Sequence, residues 1–202
     1  MSSIMVINAK GGSGKTTIST NLASYYANNG FKVTLVDLDP QGSSSKWLSS
    51  RPITKAKIRG VTSLPPQKVS KKEDEITIFD VPAAIYGARL QTYIKKARKI
   101  IVPVLPSPID MSAARDFLNS LRNRGSVIRN RTDICRVAHR CRANTNICLL
   151  YTSQSPREKG IRYVTAFRDN TNYINAVKRG LGIFEMGEAM TAQDREEWKP
   201  LL

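Results

Sequence analysis

Cysteine and histidine are scarce in this chain: Cys135, Cys141, Cys148 and the lone His139 are all it has in 202 residues. So few thiols exclude a disulfide framework, and intervals of five and six residues between them match no common zinc pattern. No apolar run approaches the roughly 18 residues that a membrane span needs, and the start lacks the charged, apolar and small segments of a secretory signal. The expected setting is therefore soluble, reducing and cytoplasmic. Acidic residues are also under-represented, 16 against 32 lysines and arginines, a net charge of +16. That excess favours a polyanion as partner, nucleic acid first and an anionic membrane surface second. It is uneven: Arg122, Arg124, Arg129, Arg131, Arg136, Arg140 and Arg142 crowd a segment with one acid, Asp133, whereas the last twenty residues carry more acid than base.

What the chain does have is the octet Lys10-Gly11-Gly12-Ser13-Gly14-Lys15-Thr16-Thr17, directly after the apolar run Ile4 to Ile7. Glycines let a backbone turn so that successive N–H groups point inward at phosphate oxygens. Lys15 adds a point charge, Thr16 a hydroxyl suited to magnesium, and the following helix presents its positive end. The strict pattern G-x-x-x-x-G-K-[ST] fails, because Ala9 stands where its first glycine belongs; Lys10 is an added cation at the loop's start. Five of the fixed positions are glycine or lysine, so a chance match at a given site is rarer than about one in a million at ordinary residue frequencies.

Continuous apolar runs recur at Ile4 to Ile7, Val33 to Val36, Ile76 to Phe79 and Ile100 to Val104, as strands buried on both faces do. Helical patterns lie between them at Thr16 to Asn28, Ile85 to Ala97 and Met111 to Arg122. The alternation predicts an α/β fold: one doubly wound, mainly parallel sheet flanked by helices, with residues 1–202 as a single domain. Ligands in such sheets sit at the carboxyl ends of the strands. There the second run ends in Asp37-Leu38-Asp39-Pro40-Gln41 and the third in Asp80-Val81-Pro82. An aspartate after a strand is ordinarily a turn former, but beside a phosphate loop it suits a carboxylate that holds magnesium through water.

Taken together, K-G-G-S-G-K-T-T, V-D-L-D-P-Q-G-S and F-D-V-P-A resemble the deviant Walker A ATPases of the ParA/MinD group, and D-L-D-P-Q resembles the ParA partition branch. The likeness runs on through residues 102–110 and 168–185. It implies ATP and Mg2+ as ligands, and a homodimer that closes face to face on two ATP molecules, with Lys10 of each subunit reaching the phosphates of the other. By the same resemblance Gly11, Gly12, Ser13 and Gly14 cradle phosphate, Lys15 pairs with the β and γ phosphates and Thr17 contacts phosphate nearby. Thr16, Asp37 and Asp80 hold the metal, partly through water, and Asp39 orients the attacking water. Lys10, Lys15 and Asp39 are then the catalytic set of a slow hydrolase that acts as a timer. The resemblance also implies nonspecific DNA binding through Arg168, Lys178 and Arg179, a ParB-type adaptor encoded elsewhere, nucleoid association, and a cargo that is a plasmid, a chromosome or a protein assembly.

The sequence departs from that pattern in three places. Val81 and Ala84 replace a hydroxyl residue and a glycine after Asp80. His139 replaces an asparagine that frames the adenine pocket in relatives, on a strand, Ile134 to His139, that also carries Arg136. The segment 121–160 is atypical, and across 147–160 it reads as foreign text, with no helical periodicity and with Ser155-Pro156 breaking any helix. Three alternatives define the competition. A MinD-like membrane-surface ATPase needs a basic amphipathic helix, and Asp194 to Leu202 is acidic and broken by Pro200. A basic DNA-binding protein with an inactive ATPase needs only the charge. An iron–sulfur carrier of the same group needs a cysteine soon after Asp80, and residues 81–99 hold none.

Overall fold

The computed structural model describes residues 2–64, 74–83, 85–123, 132–142 and 162–202. Seven strands form one sheet in the order β3-β2-β4-β1-β5-β6-β7. They are β1 (Ser2–Val6), β2 (Lys32–Asp37), β3 (Ile58–Val61), β4 (Glu75–Asp80), β5 (Lys99–Val104), β6 (Asp133–Cys141) and β7 (Arg162–Arg168), and every pairing is parallel. The helices are α1 (Lys15–Asn28), α2 (Ser43–Ser49), α3 (Gly87–Ile94), α4 (Pro108–Arg122), α5 (Thr171–Lys178) and α6 (Glu188–Trp198), with a 3-10 turn at Ile183–Glu185.

The sheet separates two cores, as continuous apolar strands require. Met5, Phe79, Ile100 and Val102 face one layer with Leu90, Ile94, Phe117 and Leu121 of α3 and α4. Their neighbours Ile4, Val6, Ile78 and Ile101 face the other, with Ile18 and Leu22 of α1 and Trp198 of α6. Strand β1 lies between β4 and β5, so the loop that leaves its carboxyl end enters the crevice where the winding reverses.

The expected elements form, with shifted ends. Helix α4 begins at Pro108, three residues before the apolar pattern does, because Ser107 caps it: its Oγ accepts from the Asp110 backbone N–H at 3.1 Å. Helix α3 is shorter than the span from Ile85 to Ala97; its end tightens into turns in which Lys96 N–H donates to Tyr93 O and Ala97 N–H to Ile94 O. Elements α2, β3, β7, α5 and the 3-10 turn stand outside the apolar runs. The strand over residues 134–139 is β6, paired on both sides, and Arg136 sits half-buried on it. Ala84 and residues 147–160 lie outside the described residues.

Three contacts bind the last third of the chain to α1, to α2 and to Arg51 just beyond α2. Arg51 Nη2 meets Glu185 Oε1 at 2.6 Å with side chains 5% and 1% exposed, and Trp47 Nε1 donates to Leu181 O at 3.1 Å. Ile183 N–H donates to Asn21 Oδ1 at 2.6 Å. A Cβ at Gly182 would come within 1.8 Å of Ser24 Oγ, so only glycine lets that turn lie against α1.

Candidate nucleotide site

The phosphate loop bridges β1 and α1. Its root is pinned from both sides: Asn8 Nδ2 donates to Pro103 O at 2.7 Å, and Asn8 Oδ1 accepts from Lys10 N–H at 3.1 Å. Gly14 precedes α1 at φ 94°, a left-handed conformation that favours glycine. The imidazole of His139 closes the back of the loop so tightly that a Cβ on Gly14 would fall 2.3 Å from Nδ1. On the opposite side a Cβ at Gly11 or Gly12 would meet nothing within 4 Å. The loop is thus packed behind and open in front, as a phosphate cradle must be.

Three aspartates converge on this loop from the ends of β2 and β4. Asp80 is 1% exposed; burial pushes its carboxyl up to about 6, opposed by the hydroxyls of Ser44 and Thr16 and reinforced by Asp37. Ser44 Oγ donates to Asp80 Oδ2 at 2.6 Å. Asp37 Oδ2 accepts from Ser45 N–H at 2.8 Å and Ser45 Oγ at 2.7 Å, and its Oδ1 from Asp39 N–H at 3.2 Å. Asp39 Oδ1 accepts from Gln41 N–H at 3.0 Å. The Lys15 ammonium is buried at the foot of the loop, donating to Lys10 O at 3.1 Å; burial lowers its pKa, and Asp80 and Asp39 pull it back up.

A cavity of about 660 Å³ opens over these groups. Gly11, Gly12, Gly14, Lys15, Thr16, Thr17 and Asp39 line it; Ser13, Asp37 and Asp80 lie buried beneath or beside it. Lys10 is paired with α4, its Nζ 3.3 Å from Asp110 Oδ1. Arg89 and Arg140 also line the cavity and were not anticipated from sequence, nor were the serines of α2 that hold the aspartates. The serine triplet Ser43-Ser44-Ser45 directly after D-P-Q-G was the available signal.

This much fits a magnesium nucleotide. A carboxyl as deeply buried as Asp80, raised toward neutrality beside Asp37, is a group that a cation would stabilise in its charged form. Among the described residues no cluster of three or more His, Cys, Asp or Glu side chains is arranged to hold a metal by itself. The acids therefore suit an ion that keeps water and ligand oxygens in its shell.

Comparison with known proteins gives a family match over residues 1–140, to the AAA domain. The chain belongs to the AAA domain family. Within it, this is a ParA/MinD-type P-loop ATPase of the partition and positioning branch. It is 26% identical over 91% of its length to the maintenance of carboxysome distribution protein A of Halothiobacillus neapolitanus, covering 87% of that protein. Over 24% of its length it is 54% identical to the chromosome-partitioning ATPase Soj of Thermus thermophilus, covering 19% of it. An ATP complex of Cyanothece McdA has the same fold, with a TM-score of 0.71 at 14% identity over 100% of this chain and 96% of that one.

The residues that this AAA-domain ATPase was expected to offer DNA are not equivalent. Lys178 and Arg179 are exposed at the end of α5. Arg168 is engaged internally: its Nε lies 2.8 Å from Asp194 Oδ1 and 3.7 Å from Glu197 Oε1, and the Asp194 pairing holds its pKa above the ordinary guanidinium value. His139 does not line the cavity. It is 4% exposed, its ring centroid 6.4 Å from that of Tyr173, and burial, with Arg140 close by, lowers its pKa to about 4. Among the described residues no helix is long and apolar enough to cross a membrane, and α6 buries Trp198 in the core.

Proposed function

We propose that this ATPase is an ATP-dependent dimerising switch that binds DNA without sequence preference and drives the partition or positioning of a plasmid, chromosome or protein cargo. The reading is carried by the convergence of the buried Lys15, Asp37 and Asp80 and the half-buried Asp39 on one open glycine cradle that begins with an additional lysine. Gly11 to Gly14 and Thr17 would receive the phosphates and Lys15 would neutralise them. Thr16, Asp37 and Asp80 would hold Mg2+, which supplies charge neutralisation for phosphoryl transfer. Asp39, which lines the cavity, would orient the attacking water. Catalysis of this kind rests on positioning and electrostatics, since the protein forms no covalent bond.

Lys10 has a separate task. Its side chain is 40% exposed and turned toward Asp110, so it leaves the phosphates of its own loop to Lys15 and is available to a second subunit. The exposed Lys178 and Arg179, within a +16 chain, would supply phosphate contacts to DNA. A ParB-type adaptor would then stimulate the slow turnover. The decisive experiment measures ATP turnover with and without duplex DNA, and ATP-dependent dimers by light scattering. Turnover should rise with DNA, and Lys10→Ala should bind nucleotide yet remain monomeric. Dimers of that variant with ATP would falsify the cross-subunit role.

A further inference from the structure

We infer that Arg140 is a nucleotide-binding residue, a second fixed cation on the phosphate chain that grips it from the side opposite the aspartates. The inference rests on the reading of the cavity as a nucleotide site and adds a residue that no motif of the loop supplies. Four observations carry it.

Arg140 is the one non-glycine residue with positive φ among the described residues, at 57°. A side chain held in that region signals a local constraint, and such outliers concentrate at ligand sites. The cause is visible in the strand register. His139 pairs with Phe167 and Cys141 with Arg168, with an irregularity between them, so Arg140 is the extra residue of a bulge near the carboxyl end of β6. Bulges re-aim side chains, and they recur beside active sites. Here the bulge turns His139 inward against the loop and Arg140 outward into the cavity that Gly11, Gly12 and Lys15 line.

The guanidinium also has no internal task. Among the described residues Arg140 makes no hydrogen bond or ion pair, in contrast to Arg51, Arg168 and Arg195, each tied to a carboxylate. A strained and unpaired arginine that faces a glycine cradle needs an anion. The cradle sits at the end of β1; the aspartates approach it from β2 and β4, and Arg140 approaches from β6, beyond β5. A phosphate chain lying along the cradle would meet the metal-holding acids on one flank and this five-donor fork on the other.

The test uses the full chain, with ADP and Mg2+ as the probe. Arg140→Gly removes the cation while accepting the left-handed backbone without penalty, so its melting temperature should hold or rise. Its Kd for ADP should rise about ten-fold, the scale of a lost charge-assisted contact. Arg140→Lys, which keeps charge without the fork, should fall between. ADP affinity unchanged in Arg140→Gly overturns the inference. A weaker Kd accompanied by a lower melting temperature overturns it as well, since Arg140 would then be structural. If the unaltered chain and Lys15→Ala bind ADP equally poorly, the nucleotide reading itself falls and takes this inference with it.

Discussion

On one side of β1, strands β2 and β4 end in Asp37, Asp39 and Asp80, carboxylates pinned by Ser44, Ser45 and backbone N–H groups. On the other side His139 and Arg140 stand near the end of β6, and among the described residues the imidazole Nδ1 has no hydrogen-bond partner and the guanidinium no carboxylate. The first flank is charged and held by hydrogen bonds, with Asp37 and Asp80 buried and Asp39 half-buried. The second is a packing wall for the phosphate loop with one cation turned outward. The difference teaches how a single loop is served from two sides: polar networks fix the groups that would bear on metal and water, and van der Waals contact fixes the backbone that must stay open to phosphate.

That contrast can be broken at several points. The largest effect is expected where the last third of the chain is tied to Arg51 just beyond α2, on the aspartate side. Arg51→Ala leaves Glu185 buried without its partner and should cost about 3–5 kcal/mol of unfolding free energy, read from urea titration; a loss below 1 kcal/mol would mean that the pair is replaceable by water.

Next come Lys15→Ala and Asp39→Ala, which should lower ATP turnover roughly 100-fold or more while leaving the melting temperature near its original value. Retained turnover in either variant sinks the assignment of chemistry to the aspartate flank.

Acid should move the two flanks in opposite directions in metal-free buffer. The folded pKa of Asp80, about 6, lies above its ordinary 3.8, so the folded state binds the extra proton and gains stability as pH falls through that window. The folded pKa of His139, about 4, lies below its ordinary 6.5, so the unfolded state binds the extra proton and stability drops as pH falls from 6.5 to 4. Each shift corresponds to about 3 kcal/mol, and together they nearly cancel. Asp80→Asn should therefore expose a chain that weakens in acid, and His139→Gln one that resists it. Parallel pH profiles for the two variants would remove the electrostatic contrast.

The smallest effect belongs to the distant basic pair. Lys178→Ala and Arg179→Ala should each weaken duplex binding about equally across sequences and reduce the salt slope by about 1, with turnover in the absence of DNA unchanged. An unaltered slope in both would move the DNA surface elsewhere on this basic chain.

The phosphate side of the site was legible because its chemistry is written in consecutive residues. Glycines at 11, 12 and 14, Lys15 and Thr16 act within one turn of backbone, and aspartates that follow apolar strands fall at the sheet's carboxyl edge by topology alone. Edge strands β3 and β7 were harder, since neither is a continuous apolar run: Arg59 and Gly60 interrupt one, and the other begins and ends in arginine. Helix α2 hid in a serine run whose helical state depends on capping the two buried carboxylates it faces. Arg168 shows the same limit for charge: it counts toward +16, yet Asp194 and Glu197, more than twenty residues away, absorb it.

Sequence by itself determined the alternation of strands and helices, the cradle and the acids around it, because period, glycine placement and strand-end carboxylates are local properties. Only the tertiary structure decided that Lys10 rests on Asp110, that His139 packs behind Gly14 instead of lining the cavity, and that Arg140 faces into it. Those outcomes depend on a bulge in β6 and on which elements lie within a few ångströms, and neither burial nor pairing between residues 100 positions apart is encoded in any short stretch of chain.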